Sequence, residues 1–391
     1  MSNYQQTNSK PTIVHLFVSF LRLGATAFGG PSMVAYIRRM AVEQKRWLDE
    51  GTFRDGIALC QMIPGATAMQ TAAYVGLRTR GVIGAGASFV GFGLPAFLLM
   101  MMLSALYTDT HTLPAVVSAF NGLQAIIVAI VANATISFGR TSLKNWKHFI
   151  IAGIAAVMFG LGVNPILVIL FAALFGLVFI GSKPLALRPT ADSGVPHSSK
   201  PLLLLLALTA IGFLALLLLQ RTLFDLAALM FRVDLFAFGG GFASVPLMFH
   251  EVVQVRGWLD GTTFLNGIAL GQVTPGPIVI TATFVGYLLH GLLGGLIATI
   301  SVFSPSFMIL VGSMPYFDRL RSSPYFNKAI GSILCTFVGL LLTVTFRFAW
   351  NVHWDFVRII LASSAFVALF LKVDILWVVV IGTLISIFAF R

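Results

Sequence analysis

Four short interruptions in otherwise apolar sequence gather the residue types suited to holding an anion. They are Phe28-Gly29-Gly30-Pro31, Ile63-Pro64-Gly65-Ala66, Phe238-Gly239-Gly240-Gly241 and Val273-Thr274-Pro275-Gly276-Pro277. Each break exposes a helix N-terminus on its C-terminal side, with unpaired N–H groups and about half a positive charge, and such ends bind anions. Proline suits that first turn because its missing N–H is not needed there. Backbone at Gly29, Gly30, Gly65, Gly240, Gly241 and Gly276 would approach a ligand closely. Polar side chains cluster beside the breaks: Ser32, Gln61, Thr67, Gln70 and Thr71 in one group, Ser244, Asn266, Gln272, Thr274 and Thr281 in the other. Arg22 and Arg232 each lie six residues before a Phe-Gly-Gly within an apolar run. An arginine fork holds a tetrahedral dianion in a bidentate way. The bland alternatives are that Gly and Pro merely permit kinks and close packing, and that the arginines snorkel to an interface or pair with Asp225 and Asp234. Asp55, Asp225, Asp234 and Glu251 are candidates for a proton-coupling carboxylate, whereas Asp49 and Asp260, just before short helices, read as N-caps.

Other chemistries are thinly supported. Gly86-Ala87-Ser88-Phe89 superficially resembles an intramembrane serine-protease motif, but no repeated histidine accompanies it. The seven histidines show no metal spacing, and Cys60 and Cys335 are too few for a disulfide framework or metal cage. With no phosphate-loop motif, no cofactor is expected and an ion gradient is the expected energy source.

The elements that position these residues are membrane helices. The 391 residues are 58% hydrophobic and 10% charged, with a mean hydropathy of +0.94. So few polar side chains cannot cover a water-facing surface, so the solvent is lipid. The net charge of +12 sits in short connections, where it sets topology, and implies no nucleic-acid partner. No cleavable signal is expected after the first apolar stretch. Length allows about ten to twelve passes. In lipid, apolar runs must be helices, expected over 12–28, 33–47, 52–63, 66–79, 82–107, 114–139, 148–162, 164–182, 201–220, 222–238, 243–256, 262–273, 276–290, 291–316, 326–350, 356–371 and 373–390.

An internal repeat organises the chain. Trp47-Leu48-Asp49, Phe53, Gly56-Ile57-Ala58-Leu59, Gln61 and Pro64-Gly65 recur 211 residues later as Trp258-Leu259-Asp260, Phe264, Gly267-Ile268-Ala269-Leu270, Gln272 and Pro275-Gly276. Arg22, Phe28-Gly29-Gly30, Val75-Gly76, Pro95 and Phe97 recur at an offset of 210. The expected division is 1–182, a Pro- and Ser-rich cytoplasmic linker at 183–200, and 201–391. Basic residues distinguish the copies: Arg38, Arg39, Lys45, Arg46 and Arg54 correspond to a segment with Arg256 alone, whereas Tyr107 to Pro114 has no cation and its counterpart has Arg319, Arg321 and Lys328. By the positive-inside rule the copies lie inverted, the N-terminus cytoplasmic. The segments flanking each Pro-Gly are about 12–15 residues, short of a ~30 Å core, so they read as re-entrant hairpins meeting near the midplane.

The chain resembles the chromate transporter family in its long two-domain form. The resemblance rests on Phe28-Gly29-Gly30-Pro31, the Trp-Leu-Asp segment, Ala58 to Gly65, and Phe238-Gly239-Gly240-Gly241 followed by Val245-Pro246-Leu247. It covers nearly the whole chain and implies a bacterial or archaeal inner-membrane protein that exports chromate, with sulfate as the structural mimic and a proton- or anion-coupled cycle. This sequence departs from the family at Pro64-Gly65-Ala66, where Pro-Gly-Pro is usual, and at Phe242. The expected fold is all-α, and the expected function is a secondary transporter for a chromate-like oxyanion, not an enzyme. A sulfate or other anion carrier or channel, or a lipid-handling protein, are the rivals. Small-residue spacing such as Gly291 to Gly295 would also allow a homodimer.

Overall fold

The computed structural model describes residues 11–28, 32–179 and 200–390. The expected linker therefore lies outside the described residues except for Lys200, which opens a helix instead. Among the described residues the structure is all helical, and five helices are long and apolar enough to cross a membrane: Thr67–Thr110, Pro114–Ser142, Lys200–Leu219, Ile278–Tyr316 and Pro324–Asn351.

The first copy runs α1 (Ile13–Thr26), α2 (Ser32–Arg38) continued by a π turn (Arg39–Gln44), α3 (Glu50–Met62), α4 (Thr67–Thr110), α5 (Pro114–Ser142), α6 (Trp146–Gly160) and α7 (Pro165–Phe179). After α8 (Lys200–Leu219) the second runs α9 (Arg221–Leu235), α10 (Ser244–Phe249) with its π turn (His250–Val255), α11 (Gly261–Val273), α12 (Thr281–Ser313), α13 (Phe317–Ser322), α14 (Pro324–Asn351), α15 (Phe356–Phe370) and α16 (Ile375–Ala389). Apart from α13 and the single-turn 3₁₀ pieces, each element has its counterpart. Among the described residues α8 also stands outside the correspondence. The expected single helices 33–47 and 243–256 each switch to π geometry partway.

The helices preceding and following each break form hairpins. Asp49 caps α3 by accepting the Thr52 N–H at 2.9 Å, and Asp260 caps α11 through Thr263 at 2.9 Å. The Tyr74 hydroxyl donates to the Thr52 carbonyl at 3.0 Å, and its ring occupies the space a side chain at Gly56 would need. The first limb of α4 therefore lies antiparallel against α3. In the second copy Phe284 fills the same notch at Gly267. Trp47 returns to pack on His15 and Phe20 of α1, ring centroids 5.5 and 6.5 Å away, closing a hairpin of α1 and α2. At 13 or 14 residues these arms are about 20 Å long, which reaches the middle of a bilayer.

Arg80-Gly81 in α4 and His290-Gly291 in α12 leave helical geometry, Gly81 at φ +64° and Gly291 at +59°. Only glycine adopts this conformation at little cost. The chain doubles back so sharply that Gly76 meets the Gly84 carbonyl and Gly286 meets that of Gly294, where no Cβ would fit. The expected helix boundaries at 79/82 and 290/291 thus coincide with these turns.

Equivalent helices run antiparallel where they meet. Phe89 packs on Phe307 while Met101 packs on Gly295, so the second limbs of α4 and α12 point in opposite directions. Thr135 and Thr345, equivalent positions on α5 and α14, place their hydroxyls 3.3 Å apart. An approximate twofold axis passes between them. The α6–α7 hairpin packs on α14 and the α15–α16 hairpin on α5, each on the other copy's long helix. Small residues permit this: Gly176 meets Ser332, and Gly382 meets Ile126. Gly295 likewise spends its bare face inside the chain.

Candidate functional site

The hairpin tips converge at the centre, and each Pro-Gly tip touches the Phe-Gly-Gly break of the other copy. The Gly65 N–H donates to the Ala237 carbonyl at 2.9 Å, and the Gly276 N–H donates to the Ala27 carbonyl at 3.1 Å. Gly65 and Gly276 hold φ of +113° and +115°. A side chain at Gly65 would collide with Ser306, and one at Gly276 would come within 2.8 Å of Ala96. Ser306 and Ala96 follow Pro305 and Pro95, so the second limbs of α12 and α4 back the opposite copy's tip.

The amides expected to face a ligand are therefore partly engaged. Those of Gly65 and Gly276 hold the two copies together, while the first amides of α4, from Thr67 to Met69, lack intrahelical acceptors and no side chain caps them. Thr67 Oγ1 lies 3.3 Å from where a Cβ on Gly240 would stand, which brings this helix start onto the glycine turn of the second copy. Gly239 and Gly240, at φ +98° and +96°, shape that turn, and Gly241 packs on Ile278. Gly29 and Gly30 lie outside the described residues.

The polar side chains divide by role. Ser32 donates to the Phe28 carbonyl, Ser244 to Gly241, Thr274 to Gly271 and Thr281 to Ile278, all satisfying backbone at the breaks. Gln70 is fully buried, its Nε2 donating to the Pro64 carbonyl while Oε1 has no partner. Gln272 is half-buried with Nε2 enclosed and unpartnered, whereas its equivalent Gln61 is exposed.

The arginines do not stand as a symmetric pair of free charges. Arg232 pairs with Glu251 at 3.1 Å, not with Asp225 or Asp234 as the alternative reading allowed, and Arg256 approaches the same carboxylate at 3.7 Å. Glu251 thus faces two arginines. Arg22 is exposed, and the position in the first copy matching Glu251 is apolar. Asp55 and Asp225 are half-buried; Asp234 is fully buried. Ser88 of the protease-like motif bonds the Gly84 carbonyl inside a helix contact.

One constellation escaped the sequence reading. Asn266 of α11 accepts from Gln124 Nε2 at 2.9 Å and donates to the Tyr107 hydroxyl at 3.1 Å, with all three side chains buried. It docks α11 onto α5 and α4. The equivalent positions are Asp55 in the first copy and Leu334 and Phe317 in the second, and α3 packs mainly on α4. The two halves are alike in fold and unlike in closure.

The sequence family described as Chromate transporter matches residues 14–177 and again 224–387. The chain belongs to the chromate transporter family. It is 42% identical over 381 residues to a protein named as an uncharacterized transporter of Methanocaldococcus jannaschii, covering 96% of this chain and 94% of that one. It is 30% identical to the chromate transport protein of Cupriavidus metallidurans, over 84% of this chain and 81% of that one, and 30% identical to a probable chromate transport protein of Synechococcus elongatus, over 82% and 81%. No solved structure matches. The two matched stretches span α1–α7 and α9–α16.

Proposed function

We propose that this chromate transporter family member is a secondary transporter that exports chromate from the cytoplasm by alternating access, conferring chromate resistance. The carrying observation is the crossed pairing of the four tips, with an uncapped helix start at its centre and the two flanking hairpins closed to different extents. Residues 1–182 and 201–391 act as two inverted repeats in the bacterial or archaeal inner membrane, joined by a cytoplasmic linker at 183–200. A repeat built of re-entrant hairpins, two long helices and a closing hairpin returns to its starting face, so the unmatched α8 turns the second copy over. The basic segments around Arg38–Arg54 and Arg78–Arg80 put the α3 mouth in the cytoplasm.

In this state Gln61 is reached from the cytoplasm while the Asn266 docking seals the outer side. The oxyanion enters past Arg22 and is held by the Thr67 helix start and the Gly240–Gly241 turn, with Gln70 and Gln272 alongside. Rocking of the hairpins then opens α11 and frees Arg232 from Glu251. Asp55, Asp225, Asp234 and Glu251 are the carboxylates available for coupling. The protein needs no cofactor.

Radiolabelled chromate uptake into inside-out vesicles tests this. Wild type accumulates chromate, while Arg22→Ala and Gln272→Leu lower uptake by about tenfold or more, the loss of one charge-assisted or buried hydrogen bond. Undiminished uptake in both variants removes these residues from the pathway. Excess sulfate that abolishes uptake would identify sulfate as the better substrate.

A further inference from the structure

Asp234 sits at the centre of the molecule without a countercharge. It is fully buried on α9, three residues before Ala237, whose carbonyl receives the Gly65 tip. Its Oδ2 accepts the Ser306 N–H at 2.8 Å, and its Oδ1 has no partner. Ser306 is the residue pressed against Gly65, and Gln70, folded over the same tip, leaves its own buried Oε1 unmatched. Two acceptor oxygens shielded from water thus flank Ser306 with no donor for either. An orphaned buried acceptor is costly, so the missing partner is part of the working protein.

The Ser306 hydroxyl lies beside the same carboxylate but is given to the Phe303 carbonyl at 3.1 Å, and the groups on neighbouring elements do not supply the partner. On α9, Arg221 and Asp225 lie two turns or more away and Arg232 is turned to Glu251. The π turn after α10 carries Glu251 and His250, the latter bonded to Gln254. Along α12 the titratable groups are Tyr287 and His290, both in its first limb. The α3–α4 hairpin brings Cys60 and Tyr74, whose hydroxyl is given to Thr52, and α8 carries only Lys200 at its far start.

Resting on the transport reading, we propose that Asp234 is the co-ion site: Oδ1 takes a proton from water at one face and returns it to water at the other while the dianion moves the opposite way. An O–H bond forms on uptake and breaks on release, the carboxylate being regenerated without electron transfer. A metal cation would need a shell of several oxygens, and the Gly65–Ser306 contact has no room for a methyl group. A proton requires no such space. The equivalent of Asp234 in the first copy is Gly24, packed against the Phe92 carbonyl, so the molecule carries one such acid and not a symmetric pair. Its place behind the Gly65 tip ties proton occupancy to the contact between the copies.

The test uses the full chain in proteoliposomes loaded with radiolabelled chromate. In wild type an inwardly directed proton gradient speeds chromate release. Asp234→Asn, which keeps the acceptor for Ser306, loses this dependence, and Asp234→Glu keeps an acid but displaces the midpoint of the pH profile. Gradient dependence retained in the Asn variant, or an unmoved midpoint in the Glu variant, overturns the proposal. Should wild type carry no chromate at all, the transport reading falls and infrared spectroscopy still decides the site. A carboxylic-acid carbonyl band that titrates in wild type and vanishes in Asp234→Asn supports it, and an undiminished band in the variant refutes it.

Discussion

Asn266→Leu should unlatch the closed side of the molecule. Asn266 makes two buried hydrogen bonds, at 2.9 Å with Gln124 and 3.1 Å with Tyr107. Each contributes about 0.5–1.5 kcal/mol net, and each buried partner left unmatched costs about 1–3 kcal/mol. In the proposed alternating-access cycle the opposite conformation lacks these bonds, so the full difference acts on the equilibrium between states. Two partners left unmatched come to about 2–6 kcal/mol, a shift of at least about 30-fold toward opening of α11. The assay needs a background with the buried Cys60 and Cys335 replaced, then Ala269→Cys on α11, which is 1% exposed. An impermeant maleimide added from the outer face should label that cysteine at least tenfold faster in the Asn266→Leu background. The equivalent first-copy probe, Ala58→Cys, should label more slowly from the cytoplasmic face, because opening one hairpin closes the other. Unchanged rates at both positions would refute the idea that this triad sets the conformation.

The tips make further demands. Gly65→Ala and Gly276→Ala each force a side chain into φ near +115° and against a packed neighbour, so each should lower the melting temperature in detergent by an amount corresponding to about 2 kcal/mol or more, and near-native melting would contradict the geometry. At the hairpin entrance Asp49→Ala should cost about 1 kcal/mol through the lost N-cap. Hydrogen bonds from Thr52 hold the Asp49 carboxyl below the usual carboxylate range, so its contribution is present above the unfolded value of about 3.9 and fades as pH falls through the folded one. Thermal melts of wild type and variant should therefore converge in acid; a gap that widens there would be evidence against this cap. Thr135→Cys with Thr345→Cys, in the cysteine-replaced background, should cross-link within one chain on oxidation, and failure to do so would count against the twofold relation.

Repetition made the architecture legible. The Trp-Leu-Asp to Pro-Gly block recurs because both copies need the same cap, the same notch for Tyr74 or Phe284, and the same glycine at the tip. Breaks at Gly81 and Gly291 could be placed because glycine alone turns there cheaply. Which tip meets which was not legible, since pairing of Gly65 with Ala237 is a contact between segments far apart in sequence. The partner of Arg232 was hidden for a related reason: a charge in an apolar run demands a partner, and the aspartates offered by spacing, Asp225 and Asp234, lie on the same helix, while the chain returns in a hairpin and presents Glu251. The Asn266 docking was hidden because its partners lie on α4 and α5, although Pro95 and Pro305, already paired by the repeat, pointed to the helices that back the tips.

Duplicated halves that were truly identical would have no reason to prefer either face. Here the symmetric frame is kept by backbone: glycine notches and crossed tip bonds, neither of which depends on side-chain chemistry. The differences are placed in side chains, with Asn266 opposite Asp55, Gln124 opposite Leu334, Asp234 opposite Gly24, and Glu251 opposite an apolar position. Each places a polar or charged group in one copy where the other has a different one or none, and in the proposed cycle these are the surfaces that part or close. A symmetric scaffold makes the two end states similar enough in energy to interconvert, and a few kcal/mol from such side chains suffices to choose between them. Exchanging Asp55→Asn and Asn266→Asp together should therefore reverse the labelling preference of the Ala58→Cys and Ala269→Cys probes, and a double variant that labels like wild type would show that the preference is set elsewhere.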